Sequence, residues 1–397
     1  MESPGDRRHL LGASLDEVVA FSQEHGLPDY RARQVFEWVY AKGAADFAAM
    51  TNLPKPLRHQ LAEQWMVYTS TVARRQESAD GTIKLLLQWP DQATTECVLI
   101  PEGQRQTACL SSQVGCPVRC RFCASGLGGL ERQLTTGQIV EQAMRLRGLC
   151  EPAARQGAHP QTLRIDRLEA GPTQEPEAGP TQGLGGPAGR LSHIVFMGLG
   201  EPLANYGAVL AAIRILNAPW GLNIGARKIT VSTIGPPDKI RRLARANLQI
   251  NLAISLHAPN DALRRELIPW ARKVSIDDLV AAGRDFFDTT GREVTLEYLL
   301  LGGLNDQLEH ARQLVRLCRQ MRCNVNLIRY NPVAGLDFER PSSEATRPFL
   351  QQLRERGINA HVRKSRGLDI EAACGQLRRA YAGEVPSAGQ QPATKED

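Results

Sequence analysis

No stretch of this chain reaches the roughly 18 consecutive apolar residues that a membrane span requires. Its first residues, Met1-Glu-Ser-Pro-Gly-Asp-Arg-Arg8, lack the apolar core of a secretion signal. These two absences predict a cytoplasmic chain that does not enter a membrane. There is no large excess of one charge either. Against 42 acidic residues stand 48 Lys and Arg, a formal net charge of +6, which is compatible with a polyanionic partner but identifies none. The nine cysteines (97, 109, 116, 120, 123, 150, 318, 323 and 374) are odd in number and scattered, which excludes a secreted disulfide framework and suits a reducing compartment. What the chain does have is length and apolar content. Its 397 residues, 42% hydrophobic, allow one large domain with a sizeable core and a smaller one beside it.

Three of the thiols crowd into Cys116-Pro-Val-Arg-Cys120-Arg-Phe-Cys123. They lie between an expected strand over 108–113 and the helix start Thr135-Thr136-Gly-Gln138. Three adjacent thiols are too many for one catalytic nucleophile and one too few for a closed tetrahedral zinc site, and no fourth Cys or His follows at zinc-finger spacing. Iron–sulfur clusters usually take four cysteines as well. Three protein ligands leave one metal position open, where chemistry can occur.

Ahead of that loop, Ser14-Leu-Asp-Glu17 is a capping-box pattern that predicts a helix to Glu24, stopped by His25-Gly26. A second helix is expected from Arg31 to Lys42, and a third after Asn52-Leu-Pro-Lys-Pro56 with Leu57, Leu61 and Trp65 on one face. These make a small helical domain over 1–66, whose Arg31, Arg33, Lys55 and Arg58 are expected to face solvent. From Val67 the apolar period shortens from 3.6 to 2, and Asp80-Gly81 marks a hairpin turn. A β linker is therefore expected over 67–107. Glu96 lies in it on the face of Val98 and Ile100, and its place near the strand start predicts a solvated carboxylate.

After the cysteines, strands (192–197, 228–233, 250–257, 294–301, 324–330 and 359–364) alternate with helical patterns (139–149, 209–216, 238–246, 276–287, 309–321 and 344–356). Alternation predicts an α/β fold with a parallel sheet covered by helices, and this many units favours a partial (β/α)6-type barrel over 108–382. Active sites of such barrels gather after the carboxyl ends of the strands. The segment 151–190 repeats Glu169-Ala-Gly-Pro-Thr-Gln174 as Glu177-Ala-Gly-Pro-Thr-Gln182. Such Gly/Pro-rich sequence is expected to form a disordered insertion, and 383–397 a flexible tail.

The Cys-x3-Cys-x2-Cys spacing, with Phe122 beside the last thiol, resembles the cluster loop of the radical S-adenosylmethionine (SAM) superfamily. Met197-Gly-Leu-Gly-Glu-Pro202 resembles its glycine–glutamate–proline motif. That resemblance implies a [4Fe–4S] cluster on Cys116, Cys120 and Cys123 with an iron open to SAM. It further implies SAM contacts from Gly200, Glu201, Ser232, Ser255, Leu256, His257 and Asn331. Ala108-Cys-Leu-Ser-Ser-Gln-Val-Gly-Cys116, Ser365-Arg-Gly-Leu-Asp-Ile-Glu-Ala-Ala-Cys-Gly-Gln-Leu377, Tyr30-Arg-Ala-Arg-Gln-Val-Phe-Glu-Trp38 and Met50-Thr-Asn-Leu-Pro54 are similar, more narrowly, to the RlmN/Cfr family of adenosine methyltransferases.

Membership would make Cys374 the methyl-carrying thiol, Cys109 the resolving thiol and Glu96 the proton acceptor. Taken without the resemblance, Cys374 reads as a buried, inert cysteine. The implied route uses two SAM molecules, one to methylate Cys374 and one to generate the radical that activates the S-methyl group. It closes when Cys109 attacks the sulfur of Cys374, which leaves a disulfide. The implied substrates are an adenine of 23S rRNA, methylated at C2, and in many bacterial members an adenine of the tRNA anticodon loop; C8 methylation of rRNA is the family alternative. A flavodoxin-like electron donor and a monomeric state are also implied. Arg241, Arg242, Arg245, Arg363, Lys364 and Arg366 are candidate phosphate contacts. Outside this class, the reading to be weighed is a non-catalytic Fe–S protein that binds RNA.

Overall fold

The computed structural model describes residues 7–150 and 190–378. The expected insertion, Arg190 apart, and the expected tail lie outside the described residues.

The amino-terminal elements follow their local signals. Strand β1 (Arg8–His9) precedes α1 (Leu15–Glu24), whose capping box is formed in full by Ser14 and Glu17. Helix α2 (Tyr30–Phe36) runs on through one wide turn to Ala41, and α3 (Lys55–Gln64) carries Pro56 in its first turn, where no N–H is missed. Trp65 departs from expectation: it stands on β2 (Trp65–Met66), paired in parallel with β1, and is buried there. The helical unit shares its core with the rest of the molecule. The Phe36 ring stacks on Trp220 at 4.9 Å between centroids. Glu141, fully buried, accepts from the backbone and hydroxyl groups of Thr69 and Ser70.

Strands β3 (Thr71–Glu77), β4 (Ile83–Gln88), β5 (Thr94–Glu102) and β6 (Arg105–Cys109) form an antiparallel meander. The expected 108–113 strand is divided. Strand β6 ends at Cys109, and Gln113–Gly115 forms β7 in a separate ribbon with β8 (Leu130–Gln133). The ribbon brackets the cysteine loop.

From β6 onward, the β7–β8 ribbon aside, strands of the main sheet alternate with helices and each pairs in parallel with the next. In order these are α4 (Thr136–Gly148), β9 (His193–Phe196), α5 (Tyr206–Asn217), β10 (Ile229–Thr233), α6 (Pro237–Ala244), β11 (Asn251–Ser255), α7 (Asp261–Leu267), α8 (Ile276–Thr290), β12 (Val294–Leu300), α9 (Leu308–Cys318), β13 (Cys323–Arg329), α10 (Ser343–Glu355) and β14 (Ala360–Arg363). One sheet results, in the order β14-β13-β12-β11-β10-β9-β6-β5-β4-β3. It is parallel from β6 to β14, so the meander extends the sheet at its β6 edge. Buried apolar strand residues such as Ile194, Val231, Leu252, Leu296 and Val325 pack under the helices, as helix-covered parallel strands require.

The chain leaving β14 crosses to the opposite edge of this sheet. Asp369 accepts from Ser78 Oγ at 2.6 Å and from the Ala79 N–H, Gly367 donates to Asp80, and Lys84 Nζ donates to the Glu371 carbonyl. The segment 364–378 is thus laced to the β3–β4 hairpin, and it spans the gap between the two edges of the sheet.

Candidate active site

The cysteine loop is set by steric necessity at its start. Gly115 has φ +76°, and a Cβ there would fall 2.0 Å from the Gly129 carbonyl oxygen, so only glycine lets the ribbon close. Beyond it Cys116 donates its N–H to that same oxygen, and Cys123 donates to the Cys120 carbonyl. All three thiols face one cavity, and Val118, Phe122, Ile234, Leu267 and Ile268 form an apolar wall beside them. Burial pushes Cys116 up to about 12 and raises Cys120 and Cys123, and the neighbouring thiols raise Cys120 further.

The carboxyl ends of the strands line the same cavity. Ser232 and Thr233 come from β10, Ser255 from β11, Leu299 from β12, Ile328 from β13 and Arg363 from β14. Ser232 and Ser255 Oγ lie 3.3 Å apart. Gly200, at φ +103°, passes so close to β7 that a Cβ would sit 2.7 Å from Ser112 Oγ. Glu201 is buried, which raises its carboxyl, and it accepts from the Ile234 N–H, Thr233 Oγ1 and the Leu203 N–H. Its carboxylate thereby ties the turn after β9 to the end of β10. His257, with φ +58°, accepts the Leu299 N–H on Nδ1. Burial, with Arg264 nearby, lowers it to about 3, so it is neutral at pH 7 and carries its proton on Nε2.

Two of the expected SAM contacts do not line this cavity with their side chains. Leu256 is not on the cavity wall. Its side chain is in the core, its N–H goes to the Glu297 carbonyl, and its own carbonyl accepts from Arg264. Asn331 lines the adjoining cavity, where its side chain bonds to the Cys374 carbonyl, Arg340 and Ser365.

That second cavity meets the first at Met197, Glu297, Ile328, Arg363 and Cys374. Cys109 opens into it. Cys374 is therefore half-buried at the junction of the two cavities, not the inert core thiol that its sequence position alone predicts. Both are free thiols. Burial pushes Cys109 up to about 12, with Cys374 as the next cause and Arg363 opposing. Arg363 is not on the outer surface: it is half-buried on the walls of both cavities, it donates to Met197 Sδ at 3.3 Å, and the nearby Cys374 raises its already high value. Arg241, on the outer helix α6, is ion-paired with Asp285 at 2.6 Å, and Arg242 lies over the Tyr206 ring.

Glu96 corrects the expectation of a solvated carboxylate. It is 7% exposed, pairs with Lys84 at 2.9 Å and accepts the Arg378 N–H at 2.9 Å. Burial raises its carboxyl, against the Lys84 charge. It lies in a third cavity with Arg74, Gln76, Lys84 and Arg378, and not on the walls shared by Cys109 and Cys374.

Sequence reasoning also missed Arg264. It lies on α7, a seven-residue helix too short to show a period, though Asn260 caps it by accepting the Leu263 N–H. Arg264 is 0% exposed; Nη2 donates to the Ile234 carbonyl at 2.7 Å and Nε to that of Leu256 at 3.3 Å, while Nη1 has no partner. A buried orphan donor costs about 1–3 kcal/mol. Burial lowers its value to about 10, so it remains cationic at neutral pH, and the largest opposing influence is Cys120.

The donor set fits an iron–sulfur cluster better than a single ion. Among the described residues no three His, Cys, Asp or Glu side chains converge as ligands of one metal ion. A cluster asks for something else, with each thiolate on a different iron and a surround of apolar groups and hydrogen-bond donors. Three soft thiols on one apolar wall meet that description.

A parallel barrel with this thiol triad at its strand ends is the architecture of a radical-SAM enzyme. Residues 187–315 match the Radical SAM superfamily, and residues 8–67 match the Ribosomal RNA large subunit methyltransferase N-terminal domain. The chain is 44% identical, over 97% of its length and 94% of the relative's, to the probable dual-specificity RNA methyltransferase RlmN of Rhodopirellula baltica. It is 43% identical to that of Gloeobacter violaceus, over 96% of this chain and 98% of the other. A crystal structure of a radical SAM methyltransferase from Sphaerobacter thermophilus superposes with a TM-score of 0.82 at 43% identity, covering 93% of this chain and 99% of that one. The chain belongs to the RlmN family of radical-SAM methyltransferases. The family implies a [4Fe–4S] cluster and SAM.

Proposed function

We propose that this enzyme methylates C2 of an adenine in 23S rRNA, and of an adenine in the tRNA anticodon loop, with Cys374 as the carrier of the transferred carbon. The observation that carries the reading is the position of Cys374 at the junction between the cavity of the three cluster thiols and the cavity of Cys109. The amidine carbon of adenine is not nucleophilic, so direct attack on an electrophilic methyl donor fails there, and a carrier thiol with a second thiol to release it answers the difficulty.

Cys116, Cys120 and Cys123 would hold the cluster, which when bound supplies the electron that cleaves SAM to a radical. Cys374 accepts a methyl group as its thiolate and presents the carbon to the base. Arg363, whose charge opposes the burial that raises Cys109, favours the thiolate of that resolving thiol. After the methyl carbon has lost hydrogen and joined the ring, Cys109 attacks the sulfur of Cys374. The ring adduct first gives up one electron to the electron carrier and its ring proton to a base. The S–C bond then breaks with its pair on carbon, which takes a proton to become the methyl group. A Cys109–Cys374 disulfide forms and the modified RNA leaves, and external reductant restores the two thiols. For Glu96 to take the ring proton, the Arg378 N–H has to leave its Oε2. Gly200, Glu201, Ser232, Ser255 and His257 would form the SAM-facing wall, with Leu256 supplying the backbone between the last two and Asn331 reaching SAM from the adjoining cavity. A base bound here must be unstacked from its RNA to enter.

The cellular setting proposed is cytoplasmic, with a monomeric enzyme drawing electrons from a flavodoxin-like donor. Among the described residues no helix is long and apolar enough to cross a membrane. Anaerobic incubation of the reconstituted enzyme with SAM, reductant and ribosomal RNA or tRNA, followed by nucleoside mass spectrometry, tests the reading. It requires 2-methyladenosine. Finding 8-methyladenosine, or no methylated adenosine from an enzyme with an intact cluster, overturns it.

A further inference from the structure

Arg264 has no part in the reaction as laid out above, yet it is one of the largest fully buried side chains of the molecule. Two of its nitrogens are committed: Nη2 to the Ile234 carbonyl after β10 and Nε to the Leu256 carbonyl after β11. Those carbonyls belong to the turns that build the cavity wall, so α7 is pinned to the carboxyl ends of two neighbouring strands. The same helix meets the cysteine loop directly, since the Arg121 N–H donates to the Leu267 carbonyl at 2.9 Å. Leu267 and Ile268 pack with Val118 and Phe122 in one apolar cluster, against which Cys116, Cys120 and Cys123 also lie. The third nitrogen, Nη1, is out of solvent and has no partner. Of the groups that raise the Arg264 value against burial, Cys120 comes first and Asp261 second. A sealed guanidinium with a spare donor, on a helix bonded to the cysteine loop, calls for an anion, and among the described residues no acidic side chain accepts a hydrogen bond from it.

We propose that Arg264 is the buried counter-charge of the iron–sulfur cluster, a positioning residue whose cation stabilises the reduced cluster and sets its potential. This rests on the reading of Cys116, Cys120 and Cys123 as cluster ligands. Reduction adds one negative charge to a cluster already carrying three thiolates. A fixed cation shielded from water favours the reduced state, and net charge and hydrogen bonds to sulfur are the levers that tune such centres. Arg264 needs no contact with RNA or with Cys374 to do this.

The test is an anaerobic redox titration of the holoenzyme, followed by electron paramagnetic resonance, in wild type, Arg264→Gln and Arg264→Lys, with iron and sulfide counted in each. Gln keeps a donor for one carbonyl but no charge; Lys keeps the charge but loses the fork. Arg264→Gln is expected to lower the reduction equilibrium about tenfold, which is about 59 mV for one electron, at full cluster content. Arg264→Lys is expected to stay near wild type in potential although its melting temperature falls. A Gln variant with wild-type potential, or equal shifts in Gln and Lys, overturns the proposal by reducing Arg264 to a structural staple. Should Gln fail to hold a cluster, the Lys variant decides alone, because a shifted potential there contradicts a charge effect. A wild-type chain that takes up no cluster overturns the underlying ligand reading, and the inference with it.

Discussion

Asn331 holds Cys374 by its backbone: Nδ2 donates to the Cys374 carbonyl oxygen at 2.9 Å. Its Oδ1 is itself fixed by Arg340 Nη1 at 2.8 Å and Ser365 Oγ at 2.7 Å. Asn331→Ala removes the clamp and strands two donors, at a cost of about 1–3 kcal/mol. The expected outcome is an enzyme with normal iron content whose Cys374 methylation, read by intact mass after incubation with SAM, falls at least tenfold. Normal methylation would show that Cys374 is placed by other contacts.

The Lys84–Glu96 pair is nearly sealed, with side-chain exposures of 6% and 9%. Removing one partner leaves the other charge buried and uncompensated, so Lys84→Met is expected to destabilise the protein by about 3–5 kcal/mol in urea denaturation. The double variant Lys84→Met, Glu96→Gln should recover most of that loss. A double variant as unstable as the single one would show that packing, not charge, is at stake.

His257 gives a pH signature. Its folded value of about 3 lies below the ordinary 6.5. Between these values the unfolded chain binds a proton that the folded chain refuses, so its contribution to stability is fully present above 6.5 and declines as pH falls toward 3. From pH 7 to pH 5 this amounts to about 2 kcal/mol. His257→Asn, which tolerates the same left-handed backbone, is expected to remove that share of the decline. An unchanged slope between the two pH values would assign the decline to other groups.

Cys109→Ala removes the thiol proposed to release product. With SAM, reductant and RNA, the variant is expected to accumulate a covalent RNA–protein adduct through Cys374, visible as a shifted band on a denaturing gel. Cys374→Ala should form none. Normal turnover by Cys109→Ala would refute the disulfide step.

Much of this architecture is legible in the chain. Ser14 and Thr135 announce their helices because a capping box is a local bond pattern, and the strands from 192 to 364 show because parallel strands are apolar on both faces. The thiol triad is legible for the same reason, being eight consecutive residues. The environment of Glu96 is not, because Lys84 arrives from a neighbouring strand and Arg378 from near the far end of the described chain. Arg363 looks like any basic residue beside Lys364 until strand register turns it inward toward Cys109 and Cys374. In α7, Leu263 and Leu267 are too few apolar positions to announce a helix.

The lacing of residues 364–378 onto the β3–β4 hairpin has a consequence for how activity is gained and lost. Gly375 and Leu377 offer their carbonyls to Ala124 and Ser125, immediately after the last cluster thiol. Cys374, the proposed carrier, therefore rides on a strap fastened to parts of the chain made long before it, and these fastenings span very large sequence separations, the slowest kind to form. Such a strap can come undone while the sheet stays folded. Mild denaturant should then abolish transfer to RNA before it releases iron, so radical generation and methyl delivery would fail at different points.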